Sequence, residues 1–176
     1  MLKLEKLAVI GLGLIGGSFA RALRESMPDL HIRGMDADVA QSARAVDIGV
    51  IDEAADSIPA VVQGTDLVIV AVPVSAIATC VAAVASAAPG VAITDVGSVK
   101  QPLLDALTAE GGIPEHYVPG HPIAGGERFG VDAANASLFR GRRVILTPTA
   151  GTAAAALATV RGAWQSVGAV VQSMDA

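Results

Sequence analysis

Three residues carry side chains and spacing suited to proton transfer. Of the three histidines, only His121 follows a predicted strand, in the stretch YVPGHPIAGGE, where Gly120, Pro122, Gly125 and Gly126 flank it. An imidazole held on such a rigid turn is mostly neutral at pH 7, since its unperturbed pKa is about 6.5, and it can act as a general base. The competing reading is a histidine satisfied by local backbone bonds. Ser98 closes another predicted strand, in DVGSVK, and offers a hydroxyl at the same edge. Ser98-Val99-Lys100-Gln101 also fits the S-x-x-Q capping box, so Ser98 is read as a helix cap as well. Lys100 falls in the first turn of that helix, where the dipole disfavours a cation; its default reading is a solvated side chain. Glu127, after two glycines, either acts on a substrate or accepts from nearby N–H groups.

A second group would hold a phosphate. Gly11, Gly13 and Gly16 form G-x-G-x-x-G directly after the apolar run Leu7 to Ile10 and before Phe19, Ala20 and Leu23, which recur at helical spacing. The first glycine allows the tight turn, the second lets a pyrophosphate approach the backbone, and the third lets helix and strand pack closely. The helix start then presents unpaired N–H groups and its positive end. Asp36 lies twenty positions after Gly16, at the tip of the next apolar stretch, where an acid accepts from both ribose hydroxyls. It would repel a 2′-phosphate, and Ala37 and Asp38 supply no cation, so the pattern selects NAD over NADP. Asp36 and Asp38 as mere turn or cap residues are the alternative. Leu14 and Ile15 inside the loop, and Val72 and Pro73 after a later strand, complete the expected cofactor contacts, together with Ser98.

The elements that must position these residues alternate along the chain. Strands are predicted at Leu7–Ile10, His31–Met35, Leu67–Val72, Val91–Asp95, Tyr117–Pro119, Arg143–Thr147 and Ala169–Gln172. The run LVIVAV is continuously apolar and β-branched, as a central parallel strand should be. Helices are predicted after the glycine turn and at Val39–Val46 (capped by Asp38 and stopped near Gly49), Ile58–Gln63, Ser75–Ala88, Val99 to about Ala109, and Thr152–Val167. The segment from Gly125 to Arg140 shows no strand period and reads as a turn with short helices. Strand and helix in alternation specify α/β: a doubly wound, mostly parallel, Rossmann-like sheet in one domain. Ligands in such a sheet sit at the carboxyl ends of the strands. His31 opens a strand and His116 precedes one, which assigns both to the opposite edge.

Composition narrows the classes. The chain has 176 residues, 52% hydrophobic and 16% charged, with a net charge of -5. That suits a sheet buried on both faces and leaves no basic stripe for nucleic acid. The single cysteine, Cys80, excludes an internal disulfide and a multi-cysteine metal site, so no metal is expected, and a cytoplasmic setting is. Cys80 reads as a small core residue. No charge occurs between Asp66 and Asp95, but Pro73, Pro89 and Gly90 divide that stretch into pieces too short to span a membrane.

GLGLIGGSFARAL, AVPV, DVGSVK, GHPIAGGERFG and LFRGRRVILTPT, in this order, resemble the nucleotide-binding domain of the prephenate/arogenate dehydrogenases of tyrosine biosynthesis. The resemblance implies NAD-dependent oxidative decarboxylation of prephenate to 4-hydroxyphenylpyruvate, with arogenate giving tyrosine as the alternative. It implies that His121 takes the proton of the ring hydroxyl, that Ser98 bonds near that hydroxyl and the nicotinamide, and that Glu127 lies at the site entrance. It further implies a C-terminal helical domain that forms a homodimer and supplies groups for the substrate carboxylates. On that basis residues 1–173 are the dinucleotide-binding domain and 174–176 the start of the next, with weak turnover expected from this half alone. Two rivals remain: a non-catalytic NAD-sensing module, which has no use for Ser98 and His121 on one edge, and a dehydrogenase of another small acid.

Overall fold

The computed structural model describes residues 2–174. Of the expected start of a second domain at 174–176, residues 175 and 176 lie outside the described residues. Nine strands and six helices follow in order: β1 (Lys6–Ile10), α1 (Leu14–Ser26), β2 (His31–Met35), α2 (Val39–Asp47), β3 (Glu53–Ala54), α3 (Ile58–Val62), β4 (Leu67–Val70), α4 (Val74–Ala87), β5 (Ala92–Asp95), α5 (Gln101–Ala109), β6 (Tyr117–Val118), β7 (Gly120–Pro122), β8 (Arg143–Leu146), α6 (Ala154–Ser166) and β9 (Val170–Ser173). A short 3-10 turn covers Val131–Ala133.

Six strands form one parallel sheet in the order β3-β2-β1-β4-β5-β6. The order reverses between β1 and β4, which opens a crevice at their carboxyl ends. Alternation along each central strand feeds two cores. Leu7 and Val9 of β1 and Leu67 and Ile69 of β4 pack on the side of α1 and α6. Ala8, Ile10, Val68 and Val70 pack on the side of α3, α4 and α5. The first core is closed by three fully buried aromatics: Trp164 stands edge-on to Phe19 at 4.6 Å and to Phe139 at 5.2 Å between ring centres. Such edge-on pairs contribute roughly 0.5–1.5 kcal/mol each beyond their burial.

Three features differ from the sequence reading. The two-residue edge strand β3 has too little pattern to be read. The two strands predicted after His121 exist as β8 and β9 but leave the main sheet: with β7, which the sequence reading lacks, they form a second sheet in which β7 runs antiparallel to β8. His121 therefore sits within a strand, opposite Ile145, rather than on a loop. Finally, α5 begins at Gln101, with Pro102 in its first turn. Proline is well placed there because its missing N–H would be unpaired anyway.

Candidate functional site

The glycine turn joins β1 to α1. Gly11 adopts φ +94°, and a Cβ there would collide with the carbonyl of Ala71; a Cβ on Gly16 would collide with the carbonyl of Gly11. Only glycine satisfies both, so these two residues let α1 and the turn after β4 close onto the strand. Gly13 differs: a Cβ would meet no atom within 4 Å. It stands at the start of α1, which has no acidic residue in its first turn and no side-chain cap. The Leu14, Ile15 and Gly16 amides precede the first helical hydrogen bond, Gly17 to Gly13 at 2.9 Å. That end can receive an anion.

Asp36, at the tip of β2, accepts from Leu12 N–H through Oδ2 at 2.7 Å and from Asp38 N–H through Oδ1 at 2.9 Å. Asp38 in turn accepts from Ala40 N–H at 2.9 Å and caps α2, as its position predicts. Asp36 also borders a cleft of about 650 Å³ whose lining is mostly small and apolar, including Ala37, Val39, Ala54 and Ala55. That lining suits a flat aromatic base. Val72 is half-buried and Pro73 exposed, in the turn that lies against Gly11.

Ser98 follows β5 and His121 follows β6, two neighbouring strands, and both lie beyond the carboxyl ends of the sheet. His31 and His116 sit at the other ends of their strands, beside Asp52 and Glu53 and beside Glu115. Ser98 is exposed, and it does not cap α5, whose cap position is Lys100 with no side-chain bond. The capping-box reading is thereby corrected: the helix starts two residues later, and Gln101 bonds to Asp105 instead of reaching back. Glu127 is exposed and borders an open cleft of about 390 Å³ shared with Leu14, Gly126 and Asn135.

Asp95 is the last residue of β5 and is not among the sequence-predicted site residues. It is fully buried and accepts four hydrogen bonds: from Gly97 N–H (2.8 Å) and Lys100 Nζ (2.5 Å) on Oδ2, and from the Tyr117 hydroxyl (2.7 Å) and Gly120 N–H (3.0 Å) on Oδ1. Lys100 is not solvated. Its side chain is 9% exposed and paired with Asp95. Burial lowers the pKa of Lys100 against the opposing pull of Asp95, and burial, with Asp95 beside it, raises that of Tyr117 far above its ordinary value. His121 is held below the usual histidine value by burial and by the Lys100 charge, against the pull of Asp95. A mostly neutral imidazole at pH 7 follows. One signal in the sequence could have revealed Asp95: it is the first charge after Asp66, at the end of an apolar strand, where an unpaired carboxylate would be costly.

Among the described residues, no three His, Cys, Asp or Glu gather to hold a metal, and no helix is long and apolar enough to cross a membrane. Cys80 packs at the margin of the second core, and burial raises its pKa.

Comparison with known proteins adds the family. Residues 19–173 match the model described as prephenate dehydrogenase, nucleotide-binding domain. A cyclohexadienyl dehydrogenase of Zymomonas mobilis is 41% identical over 176 residues, covering 98% of this chain and 59% of that protein. The crystal structure of prephenate dehydrogenase from Aquifex aeolicus in complex with hydroxyphenyl propionate and NAD+ superposes with TM-score 0.90 at 36% identity, over 99% of this chain and 61% of that one. Synechocystis arogenate dehydrogenase gives 0.86 at 27% identity, over 97% and 59%. The chain thus spans about three fifths of the length of these proteins.

Proposed function

The chain belongs to the family of prephenate dehydrogenase nucleotide-binding domains, and on that premise we propose that it binds NAD and supplies the proton acceptor for oxidative decarboxylation of prephenate. The observation that carries this reading is the placement of Ser98 and His121 beyond adjacent strands at the edge where the glycine turn opens.

The residues fit a dinucleotide. Gly13 leaves room for a pyrophosphate, the first-turn amides of α1, including those of Leu14 and Ile15, would donate to it, and Asp36 would accept from the ribose hydroxyls. Gly11 and Gly16 keep the turn close-packed, while Val72 and Pro73 wall the crevice on the β4 side. NAD, when bound, supplies the hydride acceptor. His121 takes the proton of the ring hydroxyl as the C–H electron pair on the same carbon leaves. Loss of carbon dioxide makes the ring aromatic, and the phenolate recovers a proton. Ser98 orients the hydroxyl, and Glu127 stands at the entrance. General-base help of this kind contributes about 100- to 10,000-fold.

The test is NADH formation from NAD with prephenate and arogenate offered separately. Prephenate is expected to be the better substrate, and His121→Asn should lower kcat within that range while leaving the KM for NAD nearly unchanged. A preference for arogenate would move the assignment to the other substrate of this family. An unimpaired His121→Asn enzyme would remove His121 as the base. We further propose that the enzyme works as a homodimer, as the family resemblance implies.

A further inference from the structure

The Asp95 carboxylate takes no part in the proton and hydride steps above, yet it touches both segments that carry the candidate chemistry. Its two oxygens serve different segments. Oδ2 accepts from Gly97 N–H at 2.8 Å and Lys100 Nζ at 2.5 Å, on the turn that carries Ser98. Oδ1 accepts from the Tyr117 hydroxyl at 2.7 Å and Gly120 N–H at 3.0 Å, on the segment that leads into His121. Each amide belongs to the residue immediately before a proposed site residue. The side chain has no exposed surface, so water does not compete for these bonds. A Cβ on Gly97 would lie 3.0 Å from Oδ2, and one on Gly120 would lie 2.7 Å from the Asp95 carbonyl oxygen; both turns are close-packed on this residue.

We propose that Asp95 is a positioning residue that holds Ser98 and His121 at one separation by binding the amides before them to opposite oxygens of a single carboxylate. The inference rests on reading Ser98 and His121 as partners in proton transfer, although the clamp itself requires no substrate. A carboxylate serving stability alone would, when weakened, lower the global unfolding free energy and leave both turns as ordered as before in the folded chain. A clamp loosens both turns together.

Millisecond exchange at individual backbone amides separates the two. Tyr117→Phe keeps the buried ring and removes one bond to Oδ1; Asp95→Asn keeps the shape and forces a donor against at least one N–H. In the folded Tyr117→Phe chain we expect exchange broadening at Ser98 and His121 with a common rate and none at Gly13 or Asp36, and stronger broadening in Asp95→Asn. If Asp95→Asn does not fold, Tyr117→Phe decides alone. Flat profiles at Ser98 and His121, or broadening at His121 without Ser98, overturn the clamp. An NAD titration of the same samples keeps the two readings apart. Loss of NAD binding by the unaltered chain, with the exchange pattern as expected, overturns the dinucleotide reading and leaves the clamp standing.

Discussion

Leu12 N–H donates to Asp36 Oδ2 at 2.7 Å, tying the tip of the second strand to the glycine turn. Asp36 therefore shapes the turn as well as presenting an acid to a ribose. Asp36→Asn removes the charge and keeps the Leu12 bond on its amide oxygen, while its NH2 replaces the acceptor of the Asp38 N–H. We expect NAD affinity to fall by about tenfold and discrimination against NADP to shrink by a similar factor, measured by calorimetric titration of both. Unchanged selectivity would leave Asp36 a turn residue only.

Gly11 and Gly13 should respond oppositely to alanine. Gly11→Ala forces a side chain into φ +94° and into the Ala71 carbonyl, at a cost of about 1–3 kcal/mol for the backbone alone. Gly13→Ala enters open space and should change stability by no more than about 0.5 kcal/mol. Its NAD affinity should nonetheless drop by about tenfold or more, since the new methyl group occupies the pyrophosphate's approach. Urea unfolding and NAD titration of both variants check the pair.

His121 should titrate below 6.5, because burial and the Lys100 charge disfavour its cation. The unfolded chain then binds more protons at this position between the folded midpoint and about 6.5, so His121 reduces stability as pH falls through that window and has no effect above it. Lys100→Met removes the repelling charge and leaves Asp95 unopposed, so the midpoint should rise. Imidazole proton shifts across the pH range measure both values. A midpoint above 6.5 in the unaltered chain would contradict the local electrostatics.

Phe139 lies outside regular structure yet is fully buried against Trp164. Phe139→Ala should cost about 3–5 kcal/mol by urea unfolding, a core residue's penalty. A loss under about 1 kcal/mol would mean that the segment from Gly125 to Arg140 is only loosely seated on α1 and α6.

The main sheet was legible because its strands are short apolar runs separated by glycine and proline, and LVIV could hardly be anything but a central strand. The glycine turn was legible because Gly11 and Gly16 are each required by close backbone packing and Gly13 stands in open space at the helix start. The second sheet was not. Nothing in the period of Arg143 to Leu146 tells whether the strand pairs with β6 or folds back on His121, since pairing is decided by packing at long range. The capping box at Ser98 misled for a related reason: Asp95 takes up the Gly97 amide and Pro102 sets the helix start, so the local motif lost to a buried carboxylate. Ser98, His121 and Asp36 could be placed from strand ends alone, whereas the Asp95 clamp needed coordinates, because its four donors span residues 97 to 120.

On the proposed reading, Ser98 and His121 face the crevice that would receive the nicotinamide ring. Amide and imidazole signals followed during titration with NAD, and separately with ADP-ribose, test this placement. NAD should produce saturable shifts at Gly13, Asp36, Ser98 and His121, while ADP-ribose, which lacks the ring, should move Gly13 and Asp36 alone. Saturation by NAD with Ser98 and His121 unmoved would leave a nucleotide-binding module without the proposed catalytic edge.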